Sequence, residues 1–164
     1  MGGEEIRTRL PANVQSAGPG ILAISELLPI EPNWQYYVAR HLHYQSKVAP
    51  WGAAPVTLTA GAAWVLGVFS ADILAADVEP DIFDIHWATL SGASANGTYD
   101  IEIYAGESDT LIAHCSITRT GVFTGSLSVA CQSRMLVGGS RLRAKVMSDQ
   151  AGATVDIKLH YHSY

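Results

Sequence analysis

Charge is scarce in this chain: Asp, Glu, Lys and Arg make up 15% of its 164 residues, against roughly a quarter in ordinary soluble domains. So few charges leave large apolar patches on an isolated molecule, so part of the surface is expected to lie against partner subunits. The charge present sums to −5, which offers no attraction to nucleic acid or to an anionic bilayer. Long apolar runs are missing as well; without a stretch of about 18 such residues no membrane-spanning helix is expected. The opening MGGEEIRTRL has acids where a secretory leader has a basic end and an apolar run, which points to synthesis in the cytoplasm. Gly2 does not open a myristoylation motif, because Ile6 stands where Ser or Thr is needed.

Chemistry-bearing motifs are equally scarce. There is no phosphate-binding glycine loop, no HExxH, no CxxC and no nucleophile elbow, since GASAN around Ser94 lacks the second glycine. The cysteines are only two, Cys115 and Cys131. If their segments form a simple hairpin turning near Thr120, Cys131 lies some five residues beyond the position facing Cys115. At ~3.3 Å per residue that offset exceeds the ~7 Å limit for a disulfide, so two buried free thiols are expected.

What the sequence does have is alternation. TYDIEIYA, LIAHCSI, FTGSLSV, RLRAKVM and TVDIKLHYH each place apolar residues at every second position, with SGASANG, AGESD, TRTG, VGGS and SDQAG between them as turn chemistry. A pattern of this kind gives every sheet one dry and one wet face, so two sheets must stack to hide the dry ones. With VTLTA, WVLGVF and IFDIHWATL the count reaches about eight strands, and the expectation is an all-β, antiparallel sandwich of jelly-roll type over residues 56–164. An immunoglobulin-like sandwich is the competing topology.

Residues 1–55 have a different grain. Pro11, Pro19, Pro29, Pro32, Pro50 and Pro55 are six of the chain's seven prolines, and they exclude a regular piece of sandwich there. A short amphipathic helix after Asn33 fits the spacing of Trp34, Tyr37, Val38, His41 and Leu42. Because the segment also carries Ile21, Leu22, Ile24, Leu27, Leu28, Trp34, Tyr36 and Trp51, it is expected to be an extended arm that orders against another surface, such as a neighbouring subunit.

FDIHW holds the best chemical candidate. Parity puts Phe83, Ile85 and Trp87 on one face and Asp84 and His86 on the other, where the pair can hydrogen-bond or share a metal. A metal needs three or four ligands and this stretch offers two. His160 and His162, and His41 and His43, form further alternating pairs whose imidazoles lie about 7 Å apart on a strand. Asp77, Glu79 and Asp81 in DVEPD resemble half a calcium site but read as a solvated acidic connector. Arg141, Arg143 and Lys145 form a basic row expected to pair with carboxylates such as Asp100, Glu102 or Asp156. Asn96 to Thr98 matches a glycosylation acceptor and reads as a turn. These readings assign no catalytic, cofactor-binding or metal-ligating residue.

The order WVLGVF, FDIHW, YDIEIYAG, SRLRAKVMS and the terminal LHYHSY resembles a class of small tailed-bacteriophage virion proteins, in which a β-sandwich ends in a Tyr-His-x-Tyr-like tail. The resemblance spans roughly Trp64 to Tyr164. It implies a structural part of the particle, a capsid decoration protein or head-fibre component, with FDIH and the terminal histidines as fold or interface features. The resulting expectation is a virion protein, trimeric about a symmetry axis, whose arm binds the major capsid protein or another virion protein, without enzymatic activity, cofactor, nucleic acid or membrane. The rivals are a carbohydrate- or receptor-binding tail module, with Trp34, Trp51, Trp64 and Trp87 as stacking platforms, and a hydrolase whose site converges from several strands.

Overall fold

The computed structural model describes residues 46–121 and 125–164. They form β1 (Lys47–Ala49), β2 (Val56–Thr59), β3 (Phe83–Ser91), β4 (Gly97–Ala105), β5 (Thr110–Arg119), β6 (Leu127–Ala130), β7 (Leu142–Ser148) and β8 (Thr154–Ser163). No helix occurs among the described residues, and the helix expected after Asn33, like most of the arm, lies outside them. The expectation of an all-β antiparallel sandwich is met. One sheet, here sheet A, runs β1-β8-β3-β6, with β2 also pairing β8; the other, sheet B, runs β5-β4-β7.

The alternation read from the sequence becomes the core. Ile101, Ile103 and Tyr99 of β4, Leu142, Ala144 and Val146 of β7, and Val155, Ile157 and Leu159 of β8 are all buried in one apolar cluster with Phe83, Ile85, Ala88 and Leu90 of β3. Every consecutive pair from β3 onward except β4–β5 changes sheet, so the chain stitches the two layers together repeatedly. The strand order also corrects the hairpin expected around Thr120: β5 pairs β4, whereas β6 pairs β3. Cys115 and Cys131 are therefore not offset along one ladder. They are both buried and unpaired, and their thiols meet in a hydrogen bond between the sheets. Donation of that hydrogen bond, with burial, pushes the Cys131 thiol up, while accepting it draws Cys115 below the usual thiol range.

Two β-bulges break the period of two. Between Ile85 and Trp87 the β3–β8 register shifts by one residue, leaving His86 as the extra residue. Trp87 consequently joins Asp84 on the outer face, and Ala88 and Leu90 take over the core positions. The face predicted for Trp87 is thus corrected. A second shift, between Ile103 and Tyr104 on β4, leaves Ile112 of β5 without a partner, and Leu111 ends exposed instead of sharing the face of Ala113 and Cys115.

WVLGVF, expected as a strand, leaves a turn at Trp64 and runs outside the named strands, where it shields an edge. Backbone N–H groups of Trp64, Gly67, Ser70 and Ile73 donate to the carbonyls of Ser148, Val146, Ala144 and Leu142, at 2.7 to 2.9 Å. This occupies the free side of β7, which would otherwise offer unpaired groups to another chain. Gly67 is required there, because a Cβ would lie 1.8 Å from the Thr59 carbonyl oxygen. Conversely, Lys47 to Ala49 lie in the proline-rich segment yet pair with β8. That strand stops at Pro50, which has no N–H to extend the ladder.

Candidate functional site

Sheet A's outer face concentrates the chain's unusual chemistry at the end where β3 begins and β8 finishes. Register places Asp84 opposite His162 and Trp87 opposite His160, and the bulge swings His86 in beside them. His86 Nε2 and Asp84 Oδ1 lie 3.0 Å apart, with side chains 14% and 17% exposed. The rings of His86 and His162 are 4.2 Å apart between centroids, tilted by 43°. One oxygen of Asp84 and one ring nitrogen from each histidine all fall within 4.8 Å of one another. Tyr164 completes the group: its hydroxyl donates to Asp84 Oδ1 at 3.0 Å, and its N–H donates to the Ile82 carbonyl. Burial, then the adjacent Asp84 carboxylate, push the Tyr164 phenol up.

His160 belongs to a neighbouring arrangement. Its ring stacks on Trp87 at 4.8 Å and an 18° interplanar angle, and its Nε2 lies 2.8 Å from Thr89 Oγ1. Burial, helped by the positive charge of Lys158, lowers its pKa, so its neutral form is favoured beside the indole. The two terminal histidines thus do not act as the pair their i, i+2 spacing suggests: His162 joins Asp84 and His86, whereas His160 packs against Trp87. His41 and His43 lie outside the described residues.

Sequence reasoning singled out Asp84 and His86 and found two ligands where three converge. The missing one, His162, sits 78 residues downstream of Asp84 (162 − 84) and reaches it only through the β3–β8 ladder. Both members were visible as outward residues of apolar-alternating strands, but nothing local indicated that the strands are neighbours in this register.

The other candidates disperse. Glu79 is 3% exposed and bonds Lys47 Nζ at 2.7 Å, so DVEPD is not a uniformly solvated connector, while Asp77 and Asp81 remain exposed. Burial, then proximity to Glu79, pushes the Tyr161 phenol up to about 12. In the basic row, Arg141 and Arg143 converge on Asp109, and Lys145 Nζ sits 4.0 Å from the Phe69 ring centroid. Glu102 is Lys145's register partner but bonds the Tyr104 hydroxyl; Asp156 bonds Thr57. The expected neutralisation therefore occurs, chiefly through a different carboxylate. Asp100 has His114 at 3.5 Å, a second Asp–His pair on the opposite sheet. Asn96 lies in the bend that leads into β4, and the Thr98 N–H donates to Asp149 Oδ1 at 3.0 Å.

A cavity of about 230 Å³ opens between β5 and β6, lined by Leu90, Ile117, Leu127 and Val155 with Arg119 as the only ionisable side chain among the described residues there. It holds no described carboxylate, imidazole or thiol to act as a base or nucleophile. Among the described residues no helix is long and apolar enough to cross a membrane. No protein-family model and no curated protein sequence matches the chain.

Proposed function

We propose that this chain is a structural protein of a tailed-phage particle, a capsid decoration or head-fibre component that works by adhesion. The observation that carries the reading is a group of large apolar side chains held outward on a braced double loop. Val78 and Ile82 on one loop and Met135 and Val137 on the other are all exposed. Those loops are laced by backbone bonds from Asp77 N–H to the Gly139 carbonyl, from Gly139 N–H to the Glu79 carbonyl, and in both directions between Phe83 and Leu136. Gly138 fits only without a Cβ, which would lie 2.0 Å from the Pro80 carbonyl oxygen. Apolar groups on so tightly tied a support lose little further entropy on binding, which favours a protein contact.

The layer-changing connectivity supports a jelly-roll topology, the eight-strand, two-Greek-key architecture common in viral shells. In this reading three copies pack about an axis and the arm, residues 1–55 apart from the β1 residues Lys47–Ala49 that belong to sheet A, grips the major capsid protein or a neighbouring virion protein. Many such contacts of ordinary size, each burying ~1,600 Å², make release slow even at modest individual affinity. Electron microscopy of intact particles tests the reading: the chain is expected on the outside of the head, and a version lacking residues 1–30 is expected to remain folded but fail to decorate. Normal decoration by the shortened chain overturns the arm's role, and absence of the chain from particles overturns the assignment.

A second reading, a glycan-binding tail module, draws on Trp51 and Trp64, which are 79% and 55% exposed. Trp64 is held at φ 59°, a left-handed conformation uncommon for a bulky residue, by its N–H bond to the Ser148 carbonyl. Glycan binding that disappears in a folded Trp64→Ala variant selects this reading over the first.

A further inference from the structure

We propose that Asp84, His86 and His162 form a binding site for one first-row divalent cation, zinc foremost, that clamps β3 to β8. This goes beyond the adhesive role and does not depend on it.

The case rests on placement. Asp84 and His162 are ladder partners on the two central strands of sheet A, and His86 is the residue that the bulge inserts next to them. Alternation already sets Asp84 and His86 on one face, and the bulge takes His86 out of the ladder beside the Asp84–His162 pair. Asp84 Oδ1 and His86 Nε2, at 3.0 Å, already stand at the separation of adjacent ligands around one ion. Bonds of about 2.0–2.2 Å to a tetrahedral ion set donor atoms ~3.3 Å apart, so a set spanning at most 4.8 Å needs a contraction of about 1.5 Å at its widest. Rotation of two imidazole rings supplies a movement of that size without moving the ladder.

The donor set selects the ion. Two ring nitrogens and one carboxylate oxygen suit zinc, cobalt or nickel, whereas calcium takes six to eight oxygens and magnesium favours an oxygen-rich octahedron. The surroundings serve as a supporting layer: Tyr164 hydrogen-bonds the carboxylate ligand, and Trp87 lies edge-on to His162 at 6.4 Å. Three protein ligands leave the fourth tetrahedral position to water or to a donor from another molecule. An ion here ties the first residues of β3 to the last residues of β8, so it stabilises the folded state in proportion to its occupancy.

The full-length chain, stripped with chelator and then titrated calorimetrically with zinc, is expected to bind one ion at this site and to melt at a higher temperature when loaded. Cobalt in place of zinc is expected to give the visible absorption of a low-symmetry, tetrahedral-type complex. His86→Ala and His162→Ala should each weaken this binding at least tenfold, and His114→Ala should leave it unchanged. Because an alanine variant can fail to fold, Asp84→Asn and His162→Gln are measured alongside, with circular dichroism confirming the β-signature. A melting temperature unmoved at roughly a hundredfold excess of zinc overturns the site. So does binding that survives in folded His86 and His162 variants and vanishes when His41 and His43 are replaced.

Discussion

The two outer faces of the sandwich grow from the same alternating pattern, yet they resolve their polar residues in opposite ways. On sheet B, charges of both signs lie within reach: Arg143 and Arg141 meet Asp109, Lys145 and Arg143 lie over Phe69, and Phe69 packs edge-on against Tyr104 at 5.0 Å. Among the described residues its Asp100–His114 pair gains no third donor, and the histidine is half exposed. On sheet A the corresponding Asp84–His86 pair acquires a third donor from the neighbouring strand and an aromatic wall. The lesson is that an Asp–His pair gains chemical meaning from what its neighbouring strand supplies, because two ligands are an ordinary surface contact and three can hold an ion.

The inner faces, by contrast, should be equivalent, and the largest effects test that. Ile157→Ala in β8 and Ile103→Ala in β4 remove fully buried side chains from the two sheets. Each is expected to lower unfolding stability by about 2–5 kcal/mol in urea denaturation. A cost confined to one sheet would show that the two layers do not share a core.

Alkaline pH supplies an intermediate effect and compares a core tyrosine with a surface one. The phenols of Tyr161 in sheet A and Tyr104 in sheet B are both pushed up to about 12, each chiefly by burial and then by a neighbouring glutamate, Glu79 or Glu102. In the unfolded chain they ionise near 10. Their contribution is therefore fully present below about pH 10 and is lost as pH rises through about 12. Ultraviolet titration should show a late phenolate phase in the native protein, reduced in Tyr161→Phe and in Tyr104→Phe. A single transition near 10 with the fold intact would contradict both placements.

The smallest effect is expected on sheet B, where the described residues supply no third donor. His114→Ala should change stability by less than about 0.5 kcal/mol, since an exposed pair of this kind contributes little. A loss comparable to that of the core variants would mean that His114 has a role the ladder does not reveal.

The strands themselves were readable with good fidelity, because burial of one face leaves a period of two that Tyr99, Ile101 and Ile103, or Val155, Ile157 and Leu159, display directly. Misreadings cluster at identifiable places. Trp87 and Leu111 were assigned to the wrong face because each follows or adjoins a bulge, and one inserted residue reverses every later side chain without changing composition. WVLGVF has strand composition, but Trp64, Val65 and Val68 stay exposed and the segment bonds to the edge of β7 without joining the sheet as a named strand. The expectation of two buried free thiols held, but its hairpin premise did not, since spacing along a hairpin says nothing once the two segments belong to different sheets.

For the candidate site, FDIHW and HYH were both legible as outward polar residues on apolar strands. Their convergence was not. Residue chemistry along the chain is enough to set the all-β class, the dry face of each ribbon and the turns, since these depend on side chains a few positions apart. Which strands become neighbours, in what register, and where an extra residue is accommodated depend on how two sheets close over one core. Those choices brought His162 to Asp84 and His86 and brought Cys115 to Cys131, because contacts between residues far apart in sequence are selected by the packing of the whole sandwich rather than by any local pattern.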